Sequence, residues 1–395
     1  YRHVRLVKTD PVHVNQWGTY VTTPLINNDS AKIAIETSVQ NDMSLRREVK
    51  IEQSLYNADG TLLDKTDGSV ILLSGKSGRL IQNLTVKKPI LWNIDQPYLY
   101  KIITRVYVYG LLKDEYETPV GIRSFRFDVN DGFFLNGKQM KINGVCLHGD
   151  LGALGTAINT RALERQLQIM KDMGVNAIRT SHNPPAPDLL ELCDKMGFIV
   201  MDEAFDMWKI KKTNYDYAAD FDEWHERDLS DQIIRDRNHP SVMIWSIGNE
   251  VGEQWGDAPA GDIDLEKANV ALNNKKVSDD SSKKDVMSKN ALLTRQLADI
   301  VHKMDPTRPV TAACNGTDDN NPLFQSGALD LIGFNYHEKE FAGITARHPQ
   351  TPFIVTESVS SLHTRGYYVN PSDSMIICPE SWDKPYFNPS QQCSA

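Results

Sequence analysis

Val242-Met243-Ile244-Trp245-Ser246-Ile247-Gly248-Asn249-Glu250 is the stretch on which the fold turns. A short apolar run, rich in β-branched and aromatic residues, reads as a buried strand, and this one ends in a carboxylate. Just before it, Trp224–Arg237 carries a helical pattern that stops at Asn238-His239-Pro240. A helix feeding directly into a buried strand is one half of a repeating βα unit.

The alternation continues on both sides. Further candidate strands are Ile142–Leu147, Ala177–Thr180, Phe198–Asp202, Pro309–Ala313, Leu331–Asn335 and Phe353–Thr356. Helices fit between several of them. Arg161–Met173 has apolar residues at Leu163, Leu167, Ile169 and Met170 and stops at Gly174, and Pro187–Met196 stops at Gly197. Repeated βα units imply a parallel sheet with right-handed crossovers. Seven such strands are most economically read as a (β/α)8 TIM barrel. Residues 358–395 are rich in Ser, Pro, Asn and Tyr and hold no clear buried strand, so the barrel is expected to lack its last βα unit. Asp257–Lys284, polar and without period, reads as a long loop after the fourth strand.

Ahead of the barrel the pattern is all β. Residues 33–39, 47–55 and 101–108 alternate or nearly so, with turn signals such as Asn57-Ala58-Asp59-Gly60 between them. Short strands at this spacing predict an immunoglobulin-like β-sandwich over residues 15–128, followed by the barrel over 129–395. Near the junction, Phe133-Phe134-Leu135 and Lys138-Gln139-Met140 flank Asn136-Gly137, a pair suited to a type I′ hairpin turn.

Bulk properties narrow the function. The chain has 395 residues, 40% hydrophobic and 24% charged, with a formal net charge of -9. An acidic protein repels phosphate backbones, so nucleic acid is not an expected partner. No apolar run reaches the ~18 residues of a membrane span, so no membrane insertion is expected. The five cysteines are scattered and form no zinc or disulfide pattern. Tyr1-Arg2-His3-Val4-Arg5-Leu6 reads as the middle of a strand rather than a signal peptide, so the N-terminus gives no localisation.

A barrel's active site lies at the C-terminal ends of its strands. The fourth strand ends in Asn249-Glu250 and the seventh in Thr356-Glu357. Those strands lie across the barrel mouth from each other, where two carboxylates could flank a glycosidic bond.

Longer motifs sharpen this. Residues 238–250, Asn176-Ala177-Ile178-Arg179-Thr180-Ser181-His182-Asn183-Pro184, Gly144-Val145-Cys146-Leu147-His148 and Met201-Asp202-Glu203-Ala204 together resemble the signatures of the family 2 glycoside hydrolases. The resemblance covers essentially the whole chain and is strongest to the family's β-galactosidases of Bacteroidetes type. It implies a retaining exo-β-glycosidase, with Glu250 as acid/base and Glu357 as nucleophile. It also implies that Asn249 meets the sugar 2-hydroxyl, that His148 and His182 touch the sugar, and that Tyr336 stands beside the nucleophile. Asp202 is expected to order the site, and Arg179 to hold a carboxylate there, the nucleophile's being the natural candidate. Trp208 and Trp255 follow strand ends and are expected at the cleft, whereas Trp245 reads as core.

The family's layout places a sugar-binding β-sandwich (jelly roll) upstream, and residues 1–14 resemble its final strand. The chain is therefore expected to be truncated at both ends. Some family members bind magnesium just after the third strand. Here Met207 and Lys209 fall at those positions and Asp206 beside them, so no metal and no cofactor are expected. The implied substrate is an oligosaccharide or glycan with a terminal β-galactose. β-Glucuronidase and β-mannosidase are sister activities, and a non-catalytic carbohydrate-binding protein is the reading from another class. A homo-oligomer and a periplasmic or secreted location in a bacterium are both compatible with the sequence.

Overall fold

The structure, a computed structural model, describes residues 2–251, 288–316 and 320–358, with backbone alone at 338, 377–381 and 384–386. The segment Asp257–Lys284 and Trp255 lie outside the described residues.

The N-terminal region is a two-sheet sandwich. Its strands are β1 (Val12–Ile26), β2 (Ser30–Asn41), β3 (Arg47–Tyr56), β4 (Leu62–Leu72), β5 (Lys76–Lys87), β6 (Tyr100–Val108) and β7 (Leu111–Val120). One sheet runs β1-β2-β5 and the other β4-β3-β6-β7, all antiparallel. Alternation along β2 sends Ala31, Ile33, Ile35 and Val39 inward, where Ile33 and Ile35 pack with Leu55, Leu84 and Ile102. Gln53, buried among them, donates to Thr37 and accepts from Thr104, each at 2.8 Å. β1 begins at Val12, ahead of residue 15, because Val12 and Val14 belong to the core with Val39, Val49 and Ile51. Residues 2–10 form no strand.

Strands β8 (Phe125–Asp128), β9 (Gly132–Leu135) and β10 (Lys138–Met140) form a small antiparallel sheet. The β9–β10 turn is the expected Asn136-Gly137 hairpin, with both residues at positive φ, 51° and 78°.

Next come β11 (Gly144–Leu147), helix α1 (Thr160–Asp172), β12 (Ala177–Thr180), α2 (Pro187–Met196), β13 (Ile199–Glu203), α3 (Phe221–Asp236), β14 (Val242–Asn249), α4 (Lys289–Met304), β15 (Val310–Cys314), α5 (Pro322–Gln325), β16 (Ile332–Asn335), α6 (Phe341–Arg347) and β17 (Phe353–Glu357). Among the described residues, seven parallel strands form one sheet in sequence order, the arrangement of a (β/α)8 barrel. Two short paired strands, Ile377–Ser381 and Lys384–Tyr386, follow.

By compactness the chain divides into two units. The first comprises residues up to Phe205, Trp224–Ile247 and Gln296–Val310. The second comprises Asp206–Glu223 and the described parts of Gly248–Arg295 and Thr311–Ala395.

Within the first unit, Asn238-His239-Pro240 does more than stop α3. Asn238 donates to Thr19 O at 2.8 Å and accepts from Val21 N at 2.9 Å, both on β1. His239 Nδ1 lies 2.5 Å from Asp194 Oδ2, and Trp92 Nε1 donates to the Asp194 carbonyl at 2.8 Å. Pro240 sits so close to Gly121 that a Cβ there would be 2.5 Å from the proline ring. Trp245 is core, as its place within the strand implied. It is 1% exposed and donates to Asp305 Oδ2 at 2.9 Å, which also takes Arg308 Nη1 at 2.6 Å. The root of β14 is thereby fixed to the sandwich by hydrogen bonds, and its far end carries Asn249 and Glu250.

Candidate active site

The first unit holds a buried ion pair at the ends of β12 and β13. Arg179 pairs in register with Met201, so the side chain two residues on, Glu203, shares its face. Arg179 Nη2 lies 2.9 and 2.8 Å from the two Glu203 carboxylate oxygens, and Nε donates to Oε2 at 3.1 Å. Ser246 Oγ donates to Oε2 at 2.6 Å, and His182 Nδ1 lies 2.7 Å from Oε1. A carboxylate only accepts, so His182 carries its proton on Nδ1 in this contact. Glu203 is fully buried, which by itself would raise its pKa. The Arg179 charge, the His182 hydrogen bond and charge, and the Ser246 bond outweigh that and bring it down to about 2. The exposed His148 meets His182 edge to face, with ring centroids 5.0 Å apart.

The side chain of Asp202, expected to order the site, leaves β13 on the opposite face from Glu203. It is 1% exposed, accepts from Gln232 Nε2 at 2.8 Å and lies beside Asp236 on α3. Burial and the Asp236 charge push its pKa well up. The strand-end carboxylate that joins Arg179 and His182 is therefore Glu203. The sequence reading ended the strand one residue early and missed it, although its spacing of two from Met201, the register partner of Arg179, was the available signal.

The second unit holds the other carboxylates. Asn335, the last residue of β16, donates through Nδ2 to Glu250 Oε1 at 3.0 Å and to Asn249 Oδ1 at 3.1 Å. The next residue, Tyr336, donates its hydroxyl to Glu357 Oε2 at 2.6 Å. Its backbone amide donates to the Glu357 carbonyl at 2.5 Å. Thr356 Oγ1 lies 2.5 Å from Asn335 Oδ1. Glu250, Tyr336 and His337 all take φ between 44° and 57°, a left-handed backbone that costs non-glycine residues of order 1–3 kcal/mol each. Such strain turns their side chains off the strand direction at the ends of β14 and β16. His337 contacts Asn315 Oδ1 through Nε2 at 2.9 Å.

Trp208, expected at the cleft, is 1% exposed. Its indole packs so tightly on Gly248 that a Cβ there would sit 2.9 Å from Nε1. It is a buried wall beneath the strand end. Nearby, Met207 is buried and Lys209 Nζ pairs with Asp222 at 2.7 Å. Asp206 Oδ1 accepts from Lys212 Nζ at 2.8 Å and from Asn249 Nδ2 at 3.1 Å. Among the described residues, no three His, Cys, Asp or Glu side chains gather to hold a metal ion, and no helix is long and apolar enough to cross a membrane. Asn335, Thr356 and Lys212 were not singled out from the sequence. For Asn335 the available signal was its place at a strand end directly before Tyr336.

Comparison with known proteins shows the family. Residues 12–123 match the family model "Glycosyl hydrolases family 2", and residues 127–376 match "Glycosyl hydrolases family 2, TIM barrel domain". The chain is 54% identical over its whole length to Beta-galactosidase BoGH2A of Bacteroides ovatus, covering 46% of that protein. It is 31% identical to a putative beta-glucuronidase of Formosa agariphila, over 93% of this chain and 30% of the relative. A crystal structure of a glycosyl hydrolase family 2 member from Bacteroides cellulosilyticus superposes with a TM-score of 0.78 at 35% identity, covering 89% of this chain and 41% of that one. A Bacteroides uniformis beta-glucuronidase does so with 0.73 at 28%, covering 90% and 43%. The chain thus spans less than half the length of each of these four proteins.

Proposed function

The chain belongs to the family 2 glycosyl hydrolases, and on that premise we propose that the protein is a retaining exo-β-glycosidase that removes terminal β-galactose from a glycan. The observation that carries this reading is the pairing of neighbours at the end of β16 with the two glutamates: Asn335, its last residue, donates to Glu250, and Tyr336, the next, to Glu357. Two carboxylates served by adjacent residues, one bonded to an amide and one to a phenol, are in different chemical settings. Such a difference lets one act as acid while the other stays ionised.

In this reading Glu357 attacks the anomeric carbon while Glu250 protonates the departing oxygen. The galactosyl ester on Glu357 is then hydrolysed by water that Glu250 deprotonates, which restores both groups and retains the anomeric configuration. The Tyr336 hydroxyl orients Glu357 and takes up part of its charge. Asn249 meets the sugar 2-hydroxyl. His182, held through Nδ1 against Glu203, and His148 beside it are the histidines read as touching the sugar. Arg179 holds Glu203 ionised and thereby fixes His182. The sandwich is assigned to residues 15–128, with its first strand starting slightly earlier, and the barrel to the residues from 129.

Galactose is preferred because the 54% relative bears the name beta-galactosidase, whereas the relative bearing a glucuronidase name is at 31%. The test is hydrolysis of nitrophenyl β-galactoside, glucuronide, mannoside and glucoside by the whole protein, with Glu357→Ala as control and the product anomer followed by NMR. Galactoside turnover with retention, lost in the control, is the expected result. Preference for another sugar would keep the chemistry and change the substrate. No turnover of any sugar by folded protein would leave a carbohydrate-binding role.

A further inference from the structure

We propose that Asp206, clamped by Lys212, is a positioning residue that sets the direction of the hydrogen bond reaching Glu250. The proposal rests on reading Glu250 as the acid/base. Asp206 and Lys212 lie in the segment after β13, where neither the motifs nor the reaction as described above gives them a task. Lys212 Nζ bridges Asp206 Oδ1 and the backbone carbonyl of Asn249, both at 2.8 Å. It therefore ties this segment to the residue directly before Glu250. The same Asp206 oxygen takes the Asn249 amide at 3.1 Å.

Donor and acceptor chemistry gives this line of side chains a direction. An amide side chain can be turned over, exchanging its NH2 and its oxygen, at little steric cost. Two amides stand in line here, Asn249 and then Asn335, and the second ends on Glu250 Oε1. Thr356 at one side does not fix their sense, because a hydroxyl both donates and accepts. Asp206 does fix it. Paired to an ammonium, its carboxylate offers only acceptor sites, so Asn249 must present NH2 to it. The Asn249 oxygen then faces Asn335, which must present its own NH2. With one hydrogen directed to Asn249 and the other to Glu250, Asn335 becomes a donor to Glu250 Oε1. A carboxylic acid that accepts on Oε1 carries its proton on Oε2, so the relay selects the oxygen from which the proton leaves. Were the line reversed, Asn335 would offer its oxygen to Glu250. It would then capture the acid proton instead of leaving it for the departing group.

Asp206→Leu is close in volume and removes the acceptor altogether, so either sense of the relay becomes available; an asparagine would not do, because the Lys212 ammonium would hold its amide oxygen where Asn249 donates. A general acid matters most for leaving groups that need protonation. In the whole protein, Asp206→Leu is expected to lower kcat/KM for a phenyl glycoside by about 10- to 100-fold, a share of a general acid's contribution. The same glycoside with a 2,4-dinitrophenyl leaving group should change by less than about 3-fold. The alkaline limb of the phenyl pH profile should move to higher pH, because Glu250 loses a donor to its charged form. Lys212→Met, which keeps the carboxylate and removes its clamp, should show the same leaving-group dependence at a smaller amplitude. Equal losses on both substrates, with no movement of the pH profile, would mean that the pair only supports the fold and would overturn the proposal. Glu250→Ala separates the two levels. If it lacks the leaving-group dependence, the acid/base assignment fails and this inference with it. If it shows the dependence and Asp206→Leu does not, the relay alone is refuted.

Discussion

The Tyr336 hydroxyl lies 2.6 Å from Glu357 Oε2, and the backbone amide of the same tyrosine donates to the Glu357 carbonyl. The loop after β16 and the end of β17 are thus joined twice at one residue. The backbone bond sets the position of Tyr336, and its left-handed φ of 57° turns the phenol toward the carboxylate. Removing only the hydroxyl leaves that placement intact. Tyr336→Phe is expected to reduce kcat/KM by about 30- to 100-fold, the worth of roughly one charge-assisted hydrogen bond. Thermal stability should be nearly unchanged. Steady-state kinetics alongside calorimetry would check both halves.

Glu203 gives a stability prediction with a defined pH window. Its pKa falls from an ordinary 4.5 to about 2 because Arg179, His182 and Ser246 favour the charged form. A depressed acid contributes stability above its unfolded value, and that contribution is lost as the pH falls through the folded value. About 3 kcal/mol should therefore disappear between roughly pH 4.5 and 2. Glu203→Gln abolishes that dependence. At neutral pH it removes the carboxylate charge buried against Arg179, at a cost of about 3–5 kcal/mol. Urea unfolding of both proteins at pH 7 and pH 3 would measure it. An equal pH response in the two would sink the account.

Asp202 carries the opposite sign. Burial and the neighbouring Asp236 raise its pKa, so the folded state favours the protonated form and loses stability as pH rises from the unfolded toward the folded value. Asp202→Asn should therefore be neutral at acid pH and stabilising at pH 8, while keeping the oxygen that accepts from Gln232. Melting temperatures at pH 5 and pH 8 decide this, and a variant less stable at pH 8 would contradict it.

Gly121 tests the join between sandwich and barrel. A methyl group there would meet Pro240 at 2.5–2.7 Å and Trp92 at 3.1 Å, so the proline ring must shift. Gly121→Ala is expected to cost about 1–3 kcal/mol through overpacking, read as a lower urea midpoint. A substitution that left the midpoint unchanged would show that the seam can relax.

Much of this was legible before any coordinates. Asn136-Gly137 announced its hairpin because few residue pairs accept two positive φ angles. Pro187–Met196 was bounded correctly because proline starts and glycine stops a helix. The third barrel strand shows where such reading ends. Read as Phe198–Asp202, it runs Ile199–Glu203 in the structure. Side chains alternate along a strand, so stopping at Asp202 took the carboxylate on the wrong face for the one that meets Arg179. The setting of Trp208 is non-local for a related reason. Its place after a strand end is written in the chain, but the glycine at 248 that lets the indole settle beneath β14 acts only across space.

The order of βα units, the sandwich ahead of them and the two glutamates at strand ends can be read along the chain, because hydrophobic period and turn chemistry are local. Which groups serve those glutamates follows from the folded arrangement alone. The bond from Asn335 to Glu250 spans 85 positions and that from Asn335 to Asn249 spans 86. Hydrogen-bond direction depends on what stands opposite, and no local pattern encodes a partner that folding alone brings near.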